Sequence, residues 1–342
     1  MTVLRSTLDP ARAARGFRAA RRVVAALAVP LLLAACGGTD GTAGDDAGTA
    51  EPTGSDEQFP VEVLSGPVDG GSEVSIESRP ESIVSLSPTA TEMLWAVGAG
   101  DQVVAVDEQS DYPDEVPVTD LSGYNTNVEA VLEYEPDLVI AQDDLGDLVA
   151  GLDRAAVPTL LLPAAADLDE AYSQIERVGA ATGNVGEAAE VVSSMQSDID
   201  EVLSEVPERE QPLTYYHELD PSFYSVTGEG FIGQLYSMVG MESIGDGADD
   251  GDNAGYTQLS AEHIVSSDPD VIMLADGQCC DVTPQSITER PGWAELSAVQ
   301  NDQIHVLDEN VASRWGPRVV DLVEALGTAA SEATPATSPA AD

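Results

Sequence analysis

The sequence predicts an α/β protein of two lobes, each with a central, mostly parallel sheet flanked by helices. One long bridging helix joins the lobes, and a cleft lies between them. Three observations predict this. First, a pattern occurs twice: residues 127–140 read NVEAVLEYEPDLVI and residues 260–273 read SAEHIVSSDPDVIM. In each copy a glutamate, Glu129 or Glu262, stands seven residues before a proline, Pro136 or Pro269, and an aspartate then opens an apolar run. Proline disfavours helical geometry at the residue ahead of it, so a short helix must stop there. The unbroken apolar run suits a strand covered on both faces of a parallel sheet. The copies lie 133 residues apart, too far for a solenoid and suited to two similar lobes. Second, residues 187–206 carry a helical stripe of Ala188, Val191, Val192, Met195, Ile199, Val202 and Leu203 between the copies. About 20 residues at about 1.5 Å each reach ~30 Å, the width of a small domain. Third, strands and helices alternate on either side of that helix, the pattern of parallel sheets.

The elements follow in order. Residues 1–36 read as an export leader: six arginines from Arg5 to Arg22 precede an apolar run, 23–33, too short to span a bilayer. Small residues directly before Cys36 resemble a lipobox and predict lipidation of Cys36. Residues 37–72, rich in Gly, Ala, Thr, Asp and Glu, are expected to form a flexible tether, with strands at 61–64 and 74–76 forming a hairpin around Gly70-Gly71 that leads into the first lobe. That lobe, 73–166, has strands at 83–86, 103–106, 138–140 and 160–162. Ser87 caps a helix with Pro88 at its first position. The bridge, 167–208, comprises a helix at 168–181 and the long one after it. The second lobe, 209–328, repeats the plan, with strands at 213–217, 242–244, 271–273 and 304–307 and helices at 230–239 and 317–326. Residues 221–227 read as a loop and 245–255 as an acidic, Gly-rich insertion. Residues 329–342 are expected to fray.

Charge excludes one class of partner. All 13 basic residues are arginine, against 62 acidic ones. Without the leader's six arginines and Asp9, seven basic residues face 61 acidic ones, a net charge of −54. Such a surface repels phosphate backbones, so nucleic acid is a poor partner. Cysteine is sparse: beyond Cys36 only Cys279 and Cys280 remain, neither a disulfide framework nor a C-x-x-C metal motif.

Several stretches together resemble the cobalamin and iron-siderophore branch of the solute-binding proteins of ABC importers. They are Arg79-Pro80 with residues 83–86, Ser87-Pro88-Thr89-Ala90-Thr91-Glu92, Gly98-Ala99-Gly100-Asp101, Ser110-Asp111-Tyr112-Pro113, residues 127–140 and 269–272, and Trp315-Gly316-Pro317-Arg318. The resemblance implies a non-enzymatic, monomeric receptor without a cofactor of its own, lipid-anchored outside the cytoplasmic membrane. It would capture a metal chelate between its lobes for a permease and its cytoplasmic ATPase. It also implies that Glu129 and Glu262 meet permease arginines; on physical grounds alone each would merely favour its own helix N-terminus.

The ligand is expected at the carboxyl ends of the strands, where open α/β sheets place their sites. Loops there supply Ser87, Pro88, Tyr124, Asn125 and Gln142 from the first lobe, and Tyr216, His217, Phe223, Tyr224, Tyr256, Arg314 and Trp315 from the second. Aromatic faces with one arginine suit a bulky, partly planar chelate bearing acidic groups; packing between lobes is the competing reading for each ring. Trp95 and Trp293 fit cores. Cobalamin binders carry tryptophans near positions 123, 142 and 256, where this chain has Tyr124 and Tyr256 but Gln142. A ferric siderophore is therefore placed ahead of cobalamin, with heme third because Tyr216 and His217 could ligate iron. Cys279 and Cys280, just past the second repeated strand, form either a stiff vicinal disulfide or two free thiols. A free zinc or manganese binder would need several converging histidines, and the chain has three, scattered. An enzyme lacks every familiar motif here, and an adhesin or sensor on the same fold is the remaining alternative.

Overall fold

The computed structural model describes residues 58–247 and 254–333. The leader, Cys36, most of the 37–72 tether, the middle of the 245–255 insertion and the last residues of the tail lie outside the described residues. The rest belongs to one compact unit.

Two strands, β1 (Val61–Ser65) and β2 (Ser72–Ile76), form an antiparallel hairpin ahead of the first lobe. The first lobe runs β3 (Ile83–Leu86), α1 (Pro88–Ala96), β4 (Val103–Val106), α2 (Val128–Leu132), β5 (Leu138–Ala141), α3 (Leu148–Asp153) and β6 (Thr159–Leu161). The bridge is α4 (Leu168–Thr182) and α5 (Val185–Glu205). The second lobe runs β7 (Leu213–Glu218), β8 (Tyr224–Val226), α6 (Phe231–Met238), β9 (Met241–Ser243), β10 (Tyr256–Gln258), α7 (Ala261–Ser267) and β11 (Val271–Leu274). It continues through α8 (Gly277–Cys280), α9 (Pro284–Thr288), α10 (Ser297–Gln300), β12 (Ile304–Val306), α11 (Glu309–Ala312) and α12 (Val319–Glu332).

Each lobe holds a four-stranded sheet, β4-β3-β5-β6 in the first and β12-β11-β7-β9 in the second, with every pairing parallel. In both, the strand that carries the Pro-Asp repeat, β5 or β11, lies directly beside the strand that opens the lobe, β3 or β7. The repeated sequence is thus the α2–β5 unit of one lobe and the α7–β11 unit of the other. The outer strands correspond too: β9 borders β7 as β4 borders β3, and β12 borders β11 as β6 borders β5. The shared geometry of the Pro-Asp pair has a direct cause. Asp137 accepts backbone N–H bonds from Glu81 and Ser82 at 2.8 and 3.0 Å, just before β3. Asp270 accepts the Thr214 N–H at 2.8 Å on β7. In both lobes this carboxylate fastens the repeat strand to the opening strand, which fixes the register.

The core follows the same logic. One hydrophobic cluster runs from Ile83 and Leu138 in the first lobe through Met195 and Ile199 on α5 to Leu213 and Val271 in the second. Smaller clusters pack the other face of each sheet. The buried residues of α5 (Ala188, Val192, Met195, Ile199) belong to the predicted stripe. Two glycines allow its close contacts. A Cβ on Gly179 of α4 would stand 2.3 Å from the Ala188 Cβ, and one on Gly327 of α12 would stand 2.6 Å from Val202 Cγ1.

Three expectations need correction, and one helix was not foreseen. The hairpin strands expected at 61–64 and 74–76 are present, so the tether's bound at 72 reaches too far: Ser65 Oγ accepts the Leu161 N–H at 2.8 Å and ties the hairpin to β6. The 221–227 loop contains β8, which pairs antiparallel with β10. An unforeseen helix, α3, connects β5 to β6. Finally, α12 carries on to Glu332, past the expected fraying point at 329, because Ala329 and Ala330 are fully buried and alanine favours helix.

Candidate functional site

Loops from the carboxyl ends of both sheets meet across the molecule. Glu92 on α1, its side chain 2% exposed, accepts from Arg314 at 2.8 Å and from Arg318 at 2.6 Å, both from the second lobe. Arg314 also donates to Asp111 at 2.9 Å, to the Gln109 carbonyl and to Asn310. Asn310 itself donates to Asp111 at 2.7 Å. The Arg318 guanidinium lies over the Tyr112 ring, 4.1 Å from its centroid, and the Trp315 indole N–H donates to Gln174 at 2.8 Å. The motifs around Glu92, Asp111-Tyr112 and Trp315–Arg318 therefore converge on one clasp between the lobes. Arg314, expected at the cleft, is buried here, and its terminal nitrogens donate to protein oxygens.

Beside the clasp lies a cavity of about 450 Å³. The first lobe contributes Ala164, Ala165 and Ala166; the second contributes Phe231, Ile232, Tyr256, Trp315 and the edge of Arg314. Of the expected cleft residues, the structure brings Tyr256, Arg314 and Trp315 together here. Tyr124, 77% exposed, projects from the loop after β4, and Tyr224 is also exposed. Asn125 and Gln142 sit on neighbouring exposed or half-exposed turns of the first lobe. Aromatic rings left this open add little to packing, and a group of them suits a recognition surface.

Other candidates lie elsewhere. Ser87 is buried and accepts the Ala90 N–H as the cap of α1, with Pro88 at the first helical position. Tyr216 is fully buried and donates to Glu218 at 3.1 Å. His217 is fully buried; its Nδ1 lies 2.7 Å from the Tyr236 hydroxyl, and burial lowers its pKa to about 4. Neither residue is open to an incoming iron, so both are corrected from cleft to core. Phe223 stacks on the buried Trp293 at 6.0 Å and is half-buried.

Sequence reasoning missed a polar cluster at the carboxyl ends of β7 and β11. Glu218 binds Arg290 through two short hydrogen bonds of 2.5 and 2.6 Å, and Arg290 lies 4.6 Å over Trp293. Asp276, fully buried, has its pKa raised to about 7, by burial first and then by the Glu218 charge. The available signal was faint: Arg290 is one of only seven arginines past the leader. Cys279 and Cys280 are joined as a vicinal disulfide in α8, exposed, with the Cys279 N–H donating to Glu309 at 2.7 Å. Among the described residues no group of three or more His, Cys, Asp or Glu side chains could hold a metal ion.

Glu129 and Glu262 occupy matching places. Each lies in the first turn of its helix, after caps Asn127 and Ser260 whose side chains accept helix N–H groups. Glu129 is exposed and Glu262 is exposed.

Comparison with known proteins agrees with this geometry. Residues 83–311 match the periplasmic binding protein family. The uncharacterized ABC transporter substrate-binding lipoprotein YvrC of Bacillus subtilis is 30% identical over 279 residues, covering 79% of this chain and 85% of that protein. A cobalamin-binding protein of Halobacterium salinarum is 30% identical over 257 residues, covering 72% of this chain and 69% of its own. The solved periplasmic vitamin B12 binding protein BtuF of Vibrio cholerae superposes with a TM-score of 0.59 at 28% identity, covering 73% of this chain and 96% of that one. By the extent of these matches and the paired lobes, the chain belongs to the periplasmic binding protein family, made of solute-binding proteins and not of enzymes.

Proposed function

We propose that this protein is the extracytoplasmic substrate-binding component of an ABC importer, capturing a metal chelate between its lobes and delivering it to a permease served by a cytoplasmic ATPase. The observation that carries the reading is the cleft itself. The segment after β6 in one lobe and the segment after β12 in the other meet at a cavity walled by Tyr256, Trp315 and Phe231, in keeping with the carboxyl-end sites at which α/β proteins bind ligands. The names of the relatives support a chelate of the cobalamin kind, and a ferric siderophore suits the same aromatic walls. Heme ranks last, because its candidate iron ligands Tyr216 and His217 are fully buried. Lipidation at Cys36, anchoring at the outer face of the cytoplasmic membrane and a monomeric state complete the reading. So does docking of the permease by Glu129 and Glu262.

A thermal-shift screen of the processed protein against cobalamin, ferric siderophores and heme tests it. A ligand at about 100 times its Kd stabilises the native state by ~2.7 kcal/mol, a shift of several degrees. One chelate class should raise the melting temperature by that amount. Absence of a shift with every class would sink the proposal.

A further inference from the structure

Resting on the chelate reading, we infer that the cleft selects by net charge: it accepts chelates that are neutral or cationic overall and disfavours those that are anionic overall. The chain has no lysine, and seven arginines follow the leader. Arg79 donates to the Thr182 carbonyl and to Asn184, Arg177 to the Gly66 carbonyl, and Arg209 to carbonyls at the end of α12, including Ala333. None of these three lies at the cavity. Arg154 directly follows α3 and is likewise absent from the cavity wall. Arg290 is held by both oxygens of Glu218, and Arg318 by Glu92.

That leaves Arg314, which touches the cavity but donates to Glu92, Asp111, Asn310 and a backbone carbonyl. Glu92 and Asp111 offset its charge. Among the described residues the other charged one at the cavity wall is Glu229, which is exposed. The remaining described wall is alanine, glycine, serine and apolar or aromatic side chains. An anion entering here loses water without gaining a counter-charge, a cost that a neutral or cationic chelate avoids. The exposed carboxylates of Asp143 and Asp144, just past the carboxyl end of β5, extend the same field over the loops at that end of the first lobe. The cavity's aromatic walls supply shape and apolar contact, while its electrostatics supply the sieve.

The test holds shape fixed and varies charge. Two scaffolds serve: a cobalamin with its side-chain amides intact against the same corrinoid with one amide hydrolysed to carboxylate, and a cationic linear ferric trihydroxamate against its succinylated, anionic form. Binding to the full processed protein is followed by tryptophan fluorescence quenching. Whichever scaffold binds, its carboxylated form is expected to bind roughly tenfold more weakly, the effect of one like charge at about 10 Å in a partly screened site. Added salt should narrow that gap. Glu229→Arg, at an exposed position, should also narrow it.

Equal or tighter binding of a carboxylated form would overturn the charge sieve while leaving the chelate reading intact. An unchanged gap in Glu229→Arg would remove the sieve from this cavity. Failure of all four probes, with heme or an anionic siderophore raising the melting temperature instead, would overturn the inference alone; failure of these and of every chelate class in the thermal-shift screen would overturn both.

Discussion

Asp276 and Glu218 show how far a single side chain here departs from its solution behaviour. Glu218 is neutralised by Arg290, whereas Asp276, buried beside it, keeps its proton up to a pH of about 7. In the unfolded chain an aspartate titrates near ~3.9. The native state therefore holds this proton more tightly, and the stabilisation is complete below the unfolded pKa and lost as pH rises through about 7. His217 acts in the opposite sense: with its pKa lowered to about 4 by burial, it withdraws stability as pH falls from ~6.5 toward that value. The useful readout is thus the difference between wild type and Asp276→Asn in urea unfolding. That difference should favour wild type at about pH 5 and shrink or reverse by about pH 8; a constant difference would contradict the assignment. The clasp gives a second residue-scale test. Glu92 is buried and serves two guanidinium groups, so Glu92→Ala should cost ~3–5 kcal/mol. Asp111, whose side chain is 56% exposed, should cost about 1 kcal/mol or less on the same replacement. Similar losses for both would mean that the clasp is not organised around Glu92.

Among the elements, α5 packs against both α4 and α12 and offers an internal control. Gly327→Val would push a side chain into Val202 on α5, and overpacking of this kind costs ~1–3 kcal/mol. Gly186, in the first turn of the same helix, has no atom within 4 Å of the place an added methyl would take, so Gly186→Ala should stabilise by ~0.4–1 kcal/mol. Chemical denaturation of the two variants should give opposite signs; destabilisation by both would show that α5 tolerates no added side chain at either end. The same elements show what a sequence can and cannot disclose. The sheet strands were legible because most are short apolar runs bounded by Pro, Gly or Asp, and α5 because its stripe repeats over several turns. The pairing of β8 with β10 was not, since each is three residues long and the partners lie about 30 residues apart. The alanines at the end of α12 resembled the low-complexity tail they precede. At the cleft, sequence could assign Tyr256 and Trp315 to carboxyl-end loops by their place among predicted strands. It could not reveal that Arg314 is spent on Glu92, a partner 222 residues away in the other lobe.

For the molecule as a whole, the bridging helix and the clasp hold the lobes from two directions. Their core is continuous through α5, so ligand capture should involve side chains and loops more than lobe closure. Small-angle scattering with and without a binding chelate should give nearly the same radius of gyration; a large contraction would contradict this. On the proposed docking through Glu129 and Glu262, a fixed separation of the lobes matters because two matched contacts must form at once. Glu129 and Glu262 start equivalent helices of the two lobes, and both are exposed. If the rigid body presents them together to paired basic sites, each single reversal, Glu129→Arg or Glu262→Arg, removes one attraction and adds one repulsion. The double variant should lose uptake almost entirely, whereas each single variant should keep a part of it. Neither carboxylate belongs to the cavity wall, so chelate affinity should be unaltered. Each also sits at a helix N-terminus, where an acidic side chain is worth only ~0.3–1 kcal/mol, so the melting temperature should fall slightly at most. Normal uptake by cells carrying the double variant, with binding intact, would show that the permease grips some other part of the surface.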